Sequence, residues 1–287
     1  MPDAAPRRLR ASPRGKDAEP VEFPGLRRTN AAIYQLWDEL ADFPPGEIGR
    51  ALTHCLARIC DWIGAQNAFW LAVVRMAGED MASVDPFRGW RIRCAEVLNP
   101  ECTSPDRMRK GMDLLRKADS GEESRAMIAE AGQFRVRSLG TGLVDLESFR
   151  KTAHYDFFYR QRNINDRIWV VFPVNADTES YCFFDTYENG RRFKRNELYL
   201  AAEALRGLKW FHRQLMLSHG IGIGSAPLSP AERRLLPELL SGHTEKIIAQ
   251  RLGLTRATVH QYVTALYRKY GVRGRTEFMA LWLRGRT

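Results

Sequence analysis

The chain has 287 residues, long for one domain and comfortable for two, and its hydrophobic share of 44% is ordinary for a soluble globular protein. It contains no run of eighteen apolar residues, so no membrane-spanning helix is expected. The net charge of +10 gathers at the ends: residues 228–287 carry +7, residues 1–28 carry +3, and residues 29–227 sum to zero. A basic C-terminal module points to a polyanion partner, although charge alone leaves a solubility role equally open.

Residues 1–28 are rich in Pro, Arg and small side chains and read as a disordered basic tail, without the apolar segment of a secretory signal. A helical pattern follows from Asn30 (Ile33, Leu36, Trp37, Leu40) and stops at Phe43-Pro44-Pro45-Gly46. A second helix is predicted over 48–63, with Leu52, Leu56, Ile59 and Ile63 on one face. Strands are predicted over 67–75, 89–98, 167–174 and 179–187, with roughly seventy charged helical and loop residues between the second and third. In the strand after Gly89, Trp90, Ile92 and Cys94 alternate with Arg91, Arg93 and Ala95, which puts those three on one apolar face. The pair after Arg167 is apolar on both faces, as central strands are.

A long helix is predicted over 195–218. Its Leu198, Ala201, Leu205, Leu208, His212 and Leu215 recur three and four residues apart and make one stripe. Either a second subunit or the chain's own sheet covers that stripe. Residues 218–227 carry Gly220, Gly222 and Gly224. Without the Lys-Ser/Thr of a phosphate-binding loop or a preceding strand, this segment reads as a linker.

Past the linker the signals sharpen. Ser229, Pro230 and Glu232 spell a capped helix start, and the helix buries Leu235, Leu236, Leu239 and Leu240 before Ser241-Gly242. Pro237 inside it removes a backbone donor. Thr244 opens a second helix that ends at Gly253, Thr255 caps a third that ends at Gly271, and a fourth runs from Arg275 to about Leu283 with Phe278, Leu281 and Trp282 apolar. The tight Gly-Leu-Thr turn between the second and third is the helix-turn-helix arrangement.

At 100° per residue, Val259, Val263, Leu266 and Tyr270 form the inner stripe of the third helix, while Ala257, His260, Gln261, Thr264 and Arg268 face away. That outer face is polar, compact and nearly free of negative charge. Gln261 is suited to read adenine, His260 to donate to guanine, and Thr264 to meet a thymine methyl or a base edge. Lys246, Arg256, Arg268 and Lys269 are candidates for phosphate contacts, and Thr258 completes the set at the helix start. An ordinary solvated face is the alternative for such a helix taken alone.

Residues 228–284 resemble the C-terminal domain of the LuxR family of regulators along their whole length, through LSPAERRLL, SGHTEKIIAQRLGLTRATV and YRKYGVRGRTEF. The resemblance implies a homodimer on double-stranded DNA, with the fourth helix often at the dimer contact and RNA polymerase as a further partner. His260 stands where the family usually has lysine and Tyr262 where it usually has histidine. These departures, with Pro237, leave the operator sequence and the salt dependence open. The stretches HYDFFYRQRNINDRIWVVFPV and RRFKRNELYLAAEAL are similar to solitary LuxR-type regulators with GAF- or PAS-like sensor domains.

The expected architecture is therefore an α+β sensor, an antiparallel sheet with helices, over residues 29–217, a linker over 218–227, and an all-α four-helix LuxR-type helix-turn-helix domain over 228–287. The acyl-homoserine-lactone signature, Trp and Tyr four residues apart followed by Asp-Pro, is missing, although Asp85-Pro86 occurs alone. Phe69, Trp70, Trp90, Phe157, Tyr159, Trp169 and Tyr181 either line a pocket for a small apolar effector or simply pack a core.

Five cysteines (Cys55, Cys60, Cys94, Cys102, Cys182) form a scattered set without a CxxC pair, which fits reduced thiols in a cytoplasm better than a disulfide framework. They act as oxidant sensors only if exposed and of low pKa, and otherwise are inert buried thiols. No cofactor or metal is expected, since no His/Cys cluster has ligand spacing. Without a nucleophile elbow, a carboxylate pair or a phosphate loop, no enzymatic activity is expected either. Two functional readings stand: a dimeric transcription regulator controlled by a small molecule, or a constitutive DNA binder whose front domain docks a partner protein.

Overall fold

A computed structural model describes residues 24–76, 85, 87–100, 106, 109–111, 121–222 and 228–284. Residues 1–23 of the expected tail, residues 223–227 of the expected linker, Cys102, Pro86 and the side chain of Trp282 lie outside the described residues. The first helix, α1 (Pro24–Ala41), starts earlier than the apolar pattern, so residues 24–28 are helical rather than part of the tail. A single 3-10 turn at Pro45–Glu47 leads into α2 (Ile48–Ile63), which Gly64 ends in the left-handed conformation at φ 64°.

The sheet has five strands, β1 (Asn67–Arg75), β2 (Trp90–Val97), β3 (Arg135–Ser138), β4 (Asp166–Asn175) and β5 (Thr178–Thr186), in the order β2-β1-β5-β4-β3 and antiparallel throughout. The apolar runs of β1, β4 and β5 occupy its centre, where both faces are covered. Strand β3 lay hidden in the charged stretch, because only Val136 of its four residues is apolar. Arg135 is nonetheless buried there, since the Glu179 carboxylate takes both of its terminal nitrogens at 2.8 Å.

Alternate residues along each strand sort into two layers. Ala68, Trp70, Ala72, Ile168, Val170, Cys182 and Phe184 face α1, α2, α6 (Arg195–Arg206) and α7 (Lys209–Ser218). Leu71, Val73, Trp169, Val171 and Tyr181 face the opposite side, covered by the short helices α3 (Glu122–Ala129), α4 (Leu146–Phe149) and α5 (Ala153–Phe158). One expectation fails on β2. Ala72 pairs with Cys94 and Val73 with Ile92, so Arg93 is an extra residue in the ladder. This bulge sends Cys94 to the helical layer while Trp90 and Ile92 stay on the other face.

The long helix predicted over 195–218 is two helices broken at Gly207-Leu208. A Cβ at Gly207 would overlap the Trp37 indole, whose Nε1 donates to the Ala204 carbonyl at 2.8 Å. The apolar stripe is covered by the chain's own core: Leu198, Ala201, Leu205, Leu208, His212 and Leu215 are all buried within it.

The C-terminal unit comprises α8 (Pro230–Leu240), α9 (Glu245–Leu252), α10 (Arg256–Tyr270) and α11 (Arg275–Arg284) around Leu235, Leu236, Ile248, Val259, Val263, Leu266 and Phe278. Ser229 and Glu232 form the reciprocal cap of α8. Pro237 does not interrupt α8; its ring packs on the backbone of Gly46, where a Cβ would come within 2.7 Å. Among the described residues no helix is long and apolar enough to cross a membrane.

Candidate nucleic-acid interface and effector cavity

Three threonine or glycine punctuation marks set the geometry of the helix-turn-helix. Thr244 accepts from the Ile247 N–H at the start of α9, Gly253 ends that helix at φ 66°, and Thr255 accepts from the Thr258 N–H at 3.1 Å to start α10. Val259, Val263, Leu266 and Tyr270 then point inward and are buried. Ala257, His260, Gln261, Thr264 and Arg268 share the exposed face, flanked by the exposed Lys246 and Arg256.

Three of the candidate side chains already hold partners. Thr258 is half-buried with its hydroxyl 2.8 Å from that of Thr255, and His260 Nδ1 lies 3.1 Å from a Glu245 oxygen. Lys269 donates to Glu232 at 2.8 Å and is largely shielded. Burial pushes the Glu232 carboxyl up, but Lys269 and the Ser229 N–H outweigh it and hold the group below the usual carboxylate range. Arg275, not singled out by the sequence reading, donates to the Leu239 carbonyl at 3.0 Å and the His243 carbonyl at 2.6 Å. It thereby caps the end of α8 with a cation.

On the sheet face away from α1 and α2, a cavity of about 100 Å³ opens between β1, β2, β4, β5 and the short helices. Trp90, Tyr159, Trp169 and Tyr181 line it, as do Leu71, Val73, Met127, Phe158 and Phe183. Trp70 does not: it faces the helical layer and donates its Nε1 to Ser180 Oγ at 2.8 Å. Phe69 sits beside the cavity under the guanidinium of Arg162, 4.7 Å from its ring centroid, and Phe157 lies outside near Lys110. Leu71 and Val73 share the parity of Phe69 along β1 and Phe183 that of Tyr181 along β5, and the strand register brings these residues to one face. Glu123 and His154 carried no local signal.

Polar groups at the cavity wall are mostly matched. Arg167 meets Asp185 through two bonds of 2.5 and 2.7 Å, and its guanidinium lies 5.0 Å from the Tyr159 ring centroid. Burial works against its charge, but the Asp185 carboxylate prevails and holds Arg167 above the ordinary arginine range. Tyr181 accepts from Arg135 at 2.9 Å and donates to Glu179 at 3.0 Å. The cysteines read differently. Burial pushes Cys55 well up, Cys60 and Cys182 up to about 12 and Cys94 up to about 11, which makes them protonated, unreactive thiols. No group of three or more His, Cys, Asp and Glu able to hold a metal occurs among the described residues.

Residues 226–281 match the family described as GerE, bacterial regulatory proteins of the luxR family. The probable HTH-type transcriptional regulator GfsR of Streptomyces halstedii is 39% identical over 59 residues, 21% of this chain and 24% of that protein. The chain thus spans about a quarter of the length of the curated relative it matches. Among solved structures, SdiA in complex with octanoyl-rac-glycerol aligns at a TM-score of 0.44 and 10% identity, over 91% of this chain and 95% of SdiA. The VqsR LBD domain from Pseudomonas aeruginosa aligns at 0.40 and 14%, over 66% of this chain and 96% of that domain. The C-terminus of the chain is a LuxR-family helix-turn-helix domain.

Proposed function

We propose that this protein is a sequence-specific, DNA-binding transcription regulator that acts as a homodimer and responds to a small molecule held in its N-terminal domain. The observation that carries the DNA-binding part is the outer face of α10. His260, Gln261, Thr264 and Arg268 stand exposed on one side of a helix that is anchored on its other side by four buried residues. A rigid polar helix face of this kind fits a major groove, which presents a distinct donor and acceptor pattern for each base pair. In this reading Gln261, His260 and Thr264 meet base edges, while Lys246, Arg256 and Arg268 meet phosphates. Lys269, engaged by Glu232, supports the helix and reaches a phosphate only if that pair opens.

The experiment is to select preferred duplexes from a random pool with the full chain, then measure binding of the selected and a scrambled duplex by fluorescence anisotropy. The Gln261→Ala, Thr264→Ala double variant should lose the preference, by about 1–3 kcal/mol for each base contact removed, while keeping the weaker binding to both duplexes. An unchanged preference would refute the base-reading assignment.

The effector reading is supported by the cavity beside Trp90, Tyr159, Trp169 and Tyr181. A sealed aromatic core would have favoured the second reading, a constitutive binder that docks a partner protein through its front domain. An open apolar pocket with a few polar groups is the usual form of a small-molecule site.

A further inference from the structure

The effector cavity holds one buried acceptor that nothing among the described residues satisfies. Glu123, at the start of α3, lines the cavity and its side chain is only 5% exposed. Its Oε1 lies 2.5 Å from His154 Nε2 and 3.4 Å from Ser124 Oγ, while its Oε2 has no hydrogen-bond partner. The histidine's other nitrogen defines the proton's place. The Gly121 N–H donates to His154 Nδ1 at 3.0 Å, so Nδ1 is an acceptor and the ring proton sits on Nε2, facing Glu123. His154 therefore serves Glu123 as a neutral donor and brings no positive charge. Gly121 itself is needed for the closeness of the group, because a Cβ there would overlap both Oε2 and the His154 ring.

The surrounding charges do not change this balance. Arg167 also lines the cavity, but Asp185 takes its guanidinium through two bonds. Arg135 is matched by Glu179 in the same manner, and Arg162 lies behind Phe69, outside the cavity lining. Among the described residues the Glu123 carboxylate is left without a cation and with one oxygen unmet, in a cavity walled by Trp90, Tyr159, Trp169 and Phe158. An unpaired buried charge of this kind is costly until a donor or a cation meets it. Electron-rich ring faces favour a cation on their own account.

We propose that the cavity is an amine site: it takes a small apolar molecule carrying a protonated amine, whose ammonium donates to Glu123 Oε2 while its hydrocarbon part packs against the aromatic wall. This rests on the effector reading of the cavity. A ligand carboxylate or phosphate in the same place would face Glu123 with like charge. Size limits the class further. The cavity, about 100 Å³, is smaller than the roughly 150 Å³ space that holds benzene in another protein, so a short alkyl chain is enough to fill it.

The test is titration of the full chain with n-butylammonium, n-butanol and butanoate, followed by tryptophan fluorescence and calorimetry, for the wild type and for Glu123→Gln. The wild type should bind butylammonium about tenfold or more tightly than butanol, as expected of a charge-assisted hydrogen bond, and Glu123→Gln should abolish that ratio. Equal or tighter binding of butanol overturns the amine assignment while leaving the cavity as an effector site. An ammonium preference that survives in Glu123→Gln overturns the role of Glu123. Failure of all three probes to bind overturns the amine site together with the effector reading beneath it. The wild-type ratio needs no variant, so the proposal stays exposed to refutation even if Glu123→Gln folds poorly.

Discussion

His212 lies on α7 with no exposure to speak of, stacked on Phe172 at a centroid distance of 4.4 Å. Its Nε2 donates to the Leu205 carbonyl at 3.1 Å, and Ser180 Oγ, 2.8 Å from Nδ1, donates to it while accepting from Trp70 Nε1. Every ring nitrogen is matched in the neutral form, and a second proton would break the bond from Ser180. Burial pushes His212 down to about 4 from an ordinary 6.5. The unfolded chain therefore takes up the proton first as pH falls. The stabilisation is whole above pH 6.5 and is lost between 6.5 and 4, by up to about 3 kcal/mol. Urea unfolding at pH 7 and pH 4.5 should show a smaller loss in His212→Gln than in the wild type. Equal losses would remove His212 from the acid response. On α10, Arg256→Ala should weaken selected and scrambled duplexes alike and reduce the salt slope by about one.

At the scale of elements, the break between α6 and α7 shows how one small residue redirects a helix. The 195–218 stretch has an unbroken apolar stripe, yet at Gly207 the chain bends around the Trp37 indole of α1. Without a side chain at that position, the indole reaches the Ala204 carbonyl, an acceptor in the last turn of α6. Gly207→Ala should overpack this contact and cost about 1–3 kcal/mol, read as a lowered urea midpoint. A variant as stable as the wild type would mean that Trp37 moves aside freely. The Arg93 bulge on β2 has a comparable effect on a strand. By switching the parity of the residues after it, it gives Trp90 and Ile92 to the cavity and Cys94 to the helical layer.

The whole molecule is joined at the far end of the same strand. Glu96 of β2 lies 3.0 Å from His219 Nε2 and is also engaged by Arg233 of α8. Leu217, at the end of α7, packs into the core of the C-terminal unit while its neighbours Leu215 and Met216 stay in the sheet domain. With Pro237 seated on Gly46, these contacts dock the helix-turn-helix on the sheet domain and leave the outer face of α10 exposed. Strand β2 thus touches both the cavity and the C-terminal unit. A double-mutant cycle of Glu96→Ala and Arg233→Ala, followed by urea unfolding, should give a coupling of about 1 kcal/mol, modest because both side chains are about a third exposed. Additive losses would show that the apolar contacts alone join the two units.

Local chemistry was enough to place most elements. Periodicity located α2, β1 and the helices of the C-terminal unit, and capping residues such as Ser229, Thr244, Thr255, Gly253 and Gly271 marked their ends, because such signals act within a turn or two of backbone. The inner and outer faces of α10 followed from helical angle alone. What depended on distant partners was out of reach. Arg135 is buried because Glu179 pairs with it across the sheet, and Gly207 breaks a helix because Trp37, 170 positions earlier in the chain, lies against it. Phe69 and Trp70 illustrate the division within one dipeptide. Adjacent strand residues point to opposite faces, a rule visible in the sequence, but which face holds the cavity is set by the helices that cover each side. The Glu123–His154–Gly121 group belongs wholly to the second kind, since a carboxylate in a charged helix becomes a binding group only when folding removes its water and leaves one oxygen unmet.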